Sequence, residues 1–201
     1  MRFVCYDRAA TPNVLASVTF DHTFAVAVAR RSSLPRKLRE QELLLVKIRT
    51  EAIAALSTDP SVKMYENTNF NYIPLVHEGR QVVYVLTGPS AAGSVILGND
   101  YLVTFTKKGK VRRVTQLHRN IISIPTEPEA DSKVLATIHT HTNTTGHLIT
   151  PTDICTLLLY RDYTSWQRHQ VVSSKYLSIW DMENSKLTVL PKSAIDGMRK
   201  Q

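Results

Sequence analysis

The stretch VLATIHTHTNTTGHLITPTDICTLLLY, residues 134–160, decides the fold because it passes from one type of secondary structure to another. Its first five residues are apolar or β-branched and predict a buried strand that ends at His139. A polar loop containing Gly146 follows, and Thr150-Pro151 then predicts the start of a helix that extends to about Tyr163. The sequence thus predicts a strand, a loop and a helix around a concentration of histidines.

The spacing of His139, His141 and Asp153 is typical of a metal site. Residues i and i+2 of an extended segment point to the same side, so both imidazoles of His-x-His can reach one ion. The loop then returns the chain, and Asp153 in the first turn of the helix can supply a third ligand. Such a set leaves the fourth position of zinc to water, as in catalytic sites, whereas structural zinc has four protein ligands. The residues alone therefore favour a catalytic zinc site.

An alternative interpretation of the segment from Thr150 to Asp153 needs no metal. Threonine is a favoured N-cap, proline is favoured at the first helical position, and an acidic residue is favourable near a helix N-terminus. A single His-x-His is also commonly two ordinary histidines at a strand end. The two interpretations of Asp153 are compatible, because a cap fixes the helix start that presents the ligand.

The same residues resemble the signature of the JAB/MPN/JAMM metalloproteases. In that signature His-x-His, usually followed by proline, precedes Ser-x-x-Asp, and a separate glutamate lies upstream. His139, His141 and Asp153 match the metal-binding part. Thr150 stands in place of the serine and keeps its hydroxyl, while Thr142 stands in place of the proline.

A longer part of the chain, from about Pro35 to Pro191, resembles the JAB-like domain of unknown function found in bacterial Rhs-type and other polymorphic toxin proteins. The resemblance implies an α/β (α+β) fold, a JAB/MPN-like (cytidine-deaminase-like) mixed β-sheet flanked by helices. It also implies a toxin or effector module. We therefore expect an N-terminal arm or extension over residues 1–34 and a JAB-like metallohydrolase domain over residues 35–201.

The chemistry that the resemblance implies is hydrolysis of an amide or isopeptide bond in a protein or peptide by a zinc metallopeptidase. Zinc would lower the pKa of its bound water toward about 7, and a glutamate would move the water proton to the leaving amine. Glu66, before the first predicted strand of the domain, is the candidate glutamate. Its rival is Glu78, although a place beside Gly79 in a predicted turn suits an exposed residue. The Thr150 hydroxyl would donate a hydrogen bond to the oxyanion.

Elsewhere, hydrophobic periodicity predicts one further helix and three hairpins or pairs of adjacent strands. Apolar residues recur on one helical face from about Pro35 to Ser57, and Asp59-Pro60 ends that helix. The strand pairs lie at 72–76 with 81–87, at 101–106 with 110–115, and at 176–180 with 187–190. Residues 1–31 alternate like a hairpin around Asp21-His22, but their alanines suit a helix equally well.

Composition restricts the class of protein. A chain of 201 residues with 43% hydrophobic content suits one globular domain with or without an arm. It contains no run of roughly 18 apolar residues that would predict a membrane helix. The two cysteines lack CxxC spacing, which favours a reducing compartment. We expect a cytoplasmic protein without a membrane partner, unless it is delivered to another cell as an effector.

The net charge of +8 allows a second hypothesis, a non-catalytic JAB-like module that binds nucleic acid or an acidic protein. Basic residues are concentrated at 30–39 and at 107–113. Neither cluster alternates with aromatic residues as base-stacking surfaces do, so nucleic acid is the less favoured partner. The sequence does not indicate the oligomeric state.

The remaining histidines and cysteines show no further site. His147 lies in the metal loop and is interpreted as a solvent-facing residue. The other histidines have no partner at ligand spacing: His22, His77, His118 and His169. Cys155 lacks an identifiable base, so it is not predicted to be a nucleophile.

Overall fold

The computed structural model describes residues 2–21, 26–126 and 133–198. The chain divides into two units, Met1–Lys47 (unit 1) and Ile48–Gln201 (unit 2), and the division falls inside helix α1 (Glu40–Thr58). The predicted arm of residues 1–34 lies within unit 1. The predicted site residues all lie in unit 2, so the site can be described from that unit alone.

Unit 1 contains a small antiparallel sheet in which one strand pairs with all the others. The strands are β1 (Arg2–Tyr6), β2 (Asn13–Thr19), β3 (Arg30–Ser32) and β4 (Arg36–Lys37), with β2 as the shared partner. The sequence left open whether residues 1–31 form a hairpin or a helix, and the structure shows strands at 13–19 and 30–32. Val26–Val28 form a short 3₁₀ helix. His22 and Phe24 lie outside the described residues.

Helix α1 begins at Glu40 and not at Pro35 as predicted, because residues 36–37 belong to a strand. Glu42 fixes the start, since its Oε2 accepts a hydrogen bond from the backbone N–H of Arg39 at 2.9 Å. This contact is one half of a capping box. The predicted end before Asp59-Pro60 is confirmed.

Unit 2 contains ten described strands and two further helices. They are β5 (Thr68–His77), β6 (Arg80–Pro89), β7 (Ser94–Gly98), β8 (Tyr101–Phe105), β9 (Val111–Gln116), β10 (Ile121–Pro125), β11 (Ala136–Thr140), α2 (Pro151–Tyr160), β12 (Arg168–Val172), β13 (Tyr176–Asp181), β14 (Lys186–Pro191) and α3 (Lys192–Met198). The three predicted strand pairs, the strand at β11 and the helix at α2 are confirmed. Strands β7, β10 and β12 and helix α3 were not predicted.

The strands of unit 2 form three sheets. β5, β6, β8 and β9 form an antiparallel sheet in that order, and β7 pairs antiparallel with β10. The third sheet has the order β11-β12-β13-β14, and its pair β11 and β12 is parallel. Helix α2 lies between these two strands in the chain, as a parallel pair requires a crossover connection.

A buried apolar cluster fixes α2 against the strands. Leu157 of α2 is fully buried and packs in a cluster with Val95, Ile149, Trp166, Val171, Trp180 and Met182. These residues come from β7, β12, β13 and the segments next to them. The cluster therefore holds the β11-α2-β12 unit and strand β7 in one core.

The fold is of the mixed α+β class, with mostly antiparallel sheets and few helices, and the predicted class is confirmed. The finer JAB-like arrangement remains a prediction. Within the described ranges, no helix combines the length and apolar character needed to span a membrane.

Candidate metal centre

Strand β11 and helix α2 bring His139, His141 and Asp153 together. His139 is the penultimate residue of β11, and His141 follows the strand, where its backbone N–H donates to Val172 O at 2.8 Å. Asp153 is in the first turn of α2. The end of a parallel strand and the start of the next helix meet at one edge of a sheet. The three side chains are buried and converge at that edge.

A fourth side chain, His118, joins them from the loop between β9 and β10. One ligand atom from each of His118, His139, His141 and Asp153 lies within 4.8 Å of the others, and the group could hold a metal ion. We call these four residues the ligand cluster. The prediction that His118 has no partner at ligand spacing is wrong, because folding brings its partner His141 to it over 23 residues of sequence.

The separations between the ring nitrogens and the Asp153 carboxylate are close to those between the ligands of a bound zinc ion. Zinc bonds of about 2.0–2.1 Å correspond to separations of about 3.3–3.4 Å between ligand atoms. His141 Nε2 lies 2.9 Å from His139 Nε2 and 3.2 Å from His118 Nε2. Asp153 Oδ2 lies 3.4 Å from His141 Nε2, and Asp153 Oδ1 lies 3.6 Å from His118 Nε2. Its distance to His139 Nε2 is 3.8 Å.

The hydrogen bonds of His118 and His141 turn the Nε2 atoms of the two rings toward each other. His141 Nδ1 lies 2.9 Å from Leu148 O, and because a carbonyl only accepts, Nδ1 donates and Nε2 of the neutral ring is unprotonated. His118 Nδ1 likewise donates to Asp100 Oδ2 at 3.2 Å when Asp100 is ionised. The two Nε2 atoms are nevertheless only 3.2 Å apart. A proton shared by the two nitrogens or a metal ion bound by both accounts for this close approach.

Asp153 has one oxygen that is satisfied and one that is not. Its Oδ2 accepts hydrogen bonds from the backbone N–H and the hydroxyl of Thr150, at 2.9 and 2.7 Å. Its Oδ1 is buried without a hydrogen-bond partner among the described residues. Buried polar atoms rarely remain unpaired, and a carboxylate oxygen without a donor suits a metal ion. The N-cap predicted as an alternative is present, as part of a capping box between Thr150 and Asp153, and it coexists with the cluster geometry.

A further buried histidine, His169, contacts His139 from the neighbouring strand β12. His139 Nδ1 lies 2.8 Å from His169 Nε2, and His169 Nδ1 lies 2.7 Å from Thr137 Oγ1. Thr137 is paired with His169 in the register of β11 and β12. If the Nδ1 of each ring donates in this series of hydrogen bonds, His139 Nε2 is free to bind a metal. His169 was predicted to have no partner at ligand spacing, and it is not one of the four residues of the ligand cluster; its contact with His139 was not predicted.

Two buried carboxylates at the cluster require positive charge. Asp100 and Asp153 are 2% and 1% exposed, and among the described residues neither pairs with a lysine or arginine. Burial raises the pKa of Asp100. Burial also acts to raise the pKa of Asp153, but the contact with His141 and the charge of His118 outweigh it and the pKa is lowered. A divalent cation would compensate the ionised Asp153 directly.

The pKa values of the ring nitrogens differ across the cluster. Burial lowers the pKa of His139 to about 4. Burial acts in the same direction on His118, but the hydrogen bond to Asp100 and the charge of Asp153 raise its pKa above the usual value. His118 is therefore the histidine of this pair that attracts positive charge, whether a proton or a metal ion supplies it.

The cluster faces a cavity of about 790 Å³, a size typical of ligand pockets. All four cluster residues contribute to the lining, together with the loop residues 119–120, the start of β10 and the polar segment 140–145. Arg119 supplies a cationic side chain, and it is exposed. A small molecule or a peptide segment can thus approach the cluster from this cavity.

The two predicted catalytic residues differ in position. Thr150 lies at the cluster, but its hydroxyl proton is donated to Asp153. Glu66 is exposed in the turn before β5 and does not line the cavity. Its rival Glu78 has a side chain that is 79% exposed in the turn between β5 and β6, and it does not line the cavity either. The structure brings Thr150 to the cluster but neither glutamate.

The other residues considered from the sequence lie away from the ligand atoms. His147 is half-buried, and its Nδ1 lies 3.5 Å from Ser174 Oγ. His77 is an exposed neighbour of Glu78. Burial raises the pKa of the Cys155 thiol, which opposes formation of a reactive thiolate.

Comparisons with models of protein families, with characterised proteins and with solved structures find no match to this chain. The resemblance to the JAB/MPN/JAMM metalloproteases therefore rests on the residues of the motif.

Proposed function

We propose that the protein is a zinc-dependent hydrolase that cuts amide or isopeptide bonds, with His139, His141 and Asp153 as metal ligands. The observation that supports it most is the convergence of the Nε2 atoms of His118 and His141, 3.2 Å apart, beside the unpaired Oδ1 of Asp153. Ring nitrogens and a carboxylate oxygen that converge in this way can hold a cation. Their position at a cavity is what a catalytic centre requires and a purely structural one does not.

Zinc is the metal that the donor set favours. Imidazole nitrogens with one carboxylate suit zinc, whereas magnesium and calcium prefer sets of oxygen atoms. When bound, zinc supplies an acidified water and polarises a carbonyl group. The residues of the chain hold the ligands in place and present a polar wall, residues 140–145, to a peptide backbone.

The bond type in the proposal comes from the resemblance and not from the cavity. The JAMM-like spacing of His139, His141 and Asp153 is the reason to expect amide or isopeptide hydrolysis. The role as a toxin or effector module rests on the same resemblance. The polar loop residues and the arginine that line the cavity are compatible with a protein or peptide substrate.

Hydrolysis is tested with zinc-loaded protein and two peptide libraries, one of linear peptides and one in which a second peptide is joined to a lysine side chain. Mass spectrometry identifies the products. We expect cleavage by the wild type and by His77→Ala, a control at an exposed histidine, and none by Asp153→Ala. Zinc-loaded wild type that cuts neither library, or cleavage that persists in Asp153→Ala, would contradict the proposal.

The assignment of Glu66 as the residue that moves the water proton is a separate part of the proposal. It is supported by the resemblance alone, because Glu66 is exposed and outside the cavity lining. Glu66→Gln tests it, with Glu78→Gln as the matched control. Lost hydrolysis with retained zinc in Glu66→Gln would support the role, and unchanged hydrolysis would remove Glu66 from the proposal.

The second candidate function, a module that binds an acidic partner, is favoured by one surface. The turn between β8 and β9 and the following strand expose five basic side chains: Lys107, Lys108, Lys110, Arg112 and Arg113. Gln81 Nε2 donates to Lys107 O at 3.3 Å, so the β5–β6 end, which includes the exposed Arg80, is adjacent. This function predicts polyanion binding that weakens steeply with salt. Reversing two charges, in Arg112→Glu with Arg113→Glu, should abolish it without loss of zinc.

A further inference from the structure

We propose that the turn Gly98-Asn99-Asp100, between β7 and β8, positions His118 as a fourth protein ligand of the metal, with Asp100 as the positioning residue. The inference rests on the metal-binding part of the proposed function. It departs from the His/His/Asp set predicted from the sequence, because that set contains no third histidine.

The backbone conformation of the turn allows it to pack closely against the loop that contains His118. Gly98 and Asn99 have consecutive positive φ values of 91° and 53°. A Cβ added to Gly98 would lie 2.2 Å from Asn120 O, two residues after His118, so only glycine permits this contact. The turn and the loop 117–120 therefore lie against each other without a side chain between them.

Hydrogen bonds to residues other than His118 hold Asp100 in place. Its Oδ1 accepts a hydrogen bond from the backbone N–H of Thr87 at 3.1 Å, and its own carbonyl accepts one from the N–H of Leu117 at 2.7 Å. The remaining oxygen, Oδ2, is the one that lies 3.2 Å from His118 Nδ1. The carboxylate thus fixes both the position and the rotation of the imidazole.

Asn99, the middle residue of the turn, stabilises this arrangement through its side-chain hydrogen bonds. Asn99 is fully buried, and its Nδ2 donates to Lys63 O at 2.8 Å and to Thr87 Oγ1 at 3.2 Å. Its Oδ1 accepts from the Tyr101 hydroxyl at 2.8 Å. A residue in a sparsely populated backbone conformation persists when its surroundings determine it in this way, and such residues concentrate at functional sites.

Asp100 thus contacts one ring nitrogen of His118, and the other ring nitrogen faces the ligand cluster. Metal-binding histidines commonly donate their second N–H to a carboxylate, which orients the ring and increases its basicity. His118 Nε2 points to the cluster at distances of 3.2 Å from His141 Nε2 and 3.6 Å from Asp153 Oδ1, the spacing of a fellow ligand. The protein therefore offers the metal three imidazoles and one carboxylate, and the water of the proposed hydrolysis would bind as a fifth ligand, because catalytic zinc can expand to five-coordinate.

X-ray absorption of the zinc-loaded protein counts the bound imidazoles directly. We expect three in the wild type and two in His118→Ala. Asp100→Asn should lower the affinity for zinc by about 10- to 100-fold, whereas the control Asp181→Asn, at an exposed turn, should leave it unchanged. Zinc bound by two imidazoles in the wild type, or an unchanged affinity in Asp100→Asn, would overturn this inference while leaving the proposed zinc site intact.

A double-mutant cycle separates positioning from a general loss of structure. Gly98→Ala should weaken zinc binding in the wild-type background and should have no further effect on affinity when His118→Ala is already present. Gly93→Ala is the matched control, because Gly93 has a φ of 108° with no atom within 4 Å of an added Cβ. If Gly98→Ala weakens zinc binding equally in both backgrounds, or not at all, the turn does not act through His118. Absence of zinc from the wild type would instead overturn the proposed function.

Discussion

At the scale of single residues, every member of the ligand cluster has a second contact that fixes its orientation. Such outer partners determine which ring nitrogen is free and keep the ligand atoms converged. The pairs are His118 with Asp100, His139 with His169, His141 with Leu148 O, and Asp153 with Thr150. The organisation extends beyond the four ligands, which distinguishes it from a chance meeting of polar side chains.

His169 should make the stability of the metal-free protein depend on pH. Burial lowers its pKa to about 4, from 6.5 in an exposed chain. As the pH falls below about 6.5, the unfolded state takes up the proton first, so the free energy of unfolding decreases until about pH 4 and then levels off. Urea unfolding across this range should show a smaller decrease in His169→Gln than in the wild type. Equal pH dependence in the two proteins would contradict the buried, neutral state of His169.

Thr150 should contribute both to the helix and to the ligand. Thr150→Ala removes the cap and the hydroxyl that holds Asp153 Oδ2, at a cost of about 1 kcal/mol in the free energy of unfolding. It should also weaken zinc binding by about 10- to 100-fold. Thr150→Ser keeps the hydroxyl and is the matched control. Titration with zinc that gives the same affinity for both variants would show that the contact is not needed to orient Asp153.

Local spacing was sufficient to predict part of the cluster. His139, His141 and Asp153 lie within one strand-loop-helix segment, and the geometry of that segment alone places them together. His118 and His169 could not be predicted, because they reach the cluster through sheet pairing and a loop that lie far away in sequence. No periodicity or motif relates such positions, and an alignment of related chains would have been the signal to find them.

At the scale of elements, the strand next to β11 explains where prediction from the sequence failed. Strands of parallel pairs are commonly continuous apolar runs, but β12 reads Arg168-His169-Gln170 before its two valines. His169 interrupts the apolar pattern where it contacts His139. The strand was therefore missed because three polar residues begin it, whereas the hairpins, with regular alternation and turn residues, were found.

The turn between β5 and β6 offers a stabilising substitution at this scale. Glu78 and Gly79 have φ values of 48° and 72°, the conformation of a type I′ hairpin turn, in which glutamate is unfavourable and Asn-Gly is preferred. Glu78→Asn should raise the free energy of unfolding by about 0.5–1 kcal/mol in urea titrations. Glu183→Asn, in a turn without positive φ at residue 183, should give no such gain. A decrease in stability would indicate a contact of Glu78 that outweighs its backbone strain.

At the scale of the whole of unit 2, one core connects the segments that supply the ligands. Val95 of β7 and Val171 of β12 both pack in the cluster around Leu157 of α2. Because β10 pairs with β7, the loop that precedes β10 and contains His118 is brought to the start of α2. Packing of apolar residues thus determines the position of His118, the third histidine of the ligand cluster.

Leu157 should therefore be a large contributor to stability. Leu157→Ala leaves a cavity in the apolar cluster and should lower the free energy of unfolding by about 2–5 kcal/mol. Leu158→Ala, at the 44% exposed neighbour on the same helix, is the control and should change it by about 0.5 kcal/mol or less. Similar losses in both variants would contradict the packing of α2 described above.

The central claim, that the ligand cluster binds zinc, is tested most directly by elemental analysis of protein purified without added metal or chelator. We predict about one zinc ion per chain, as for a mononuclear site. We expect its loss in His139→Ala and in Asp153→Ala and its retention in His77→Ala. A folded wild-type protein that contains no metal and takes up none when zinc is added would contradict the claim.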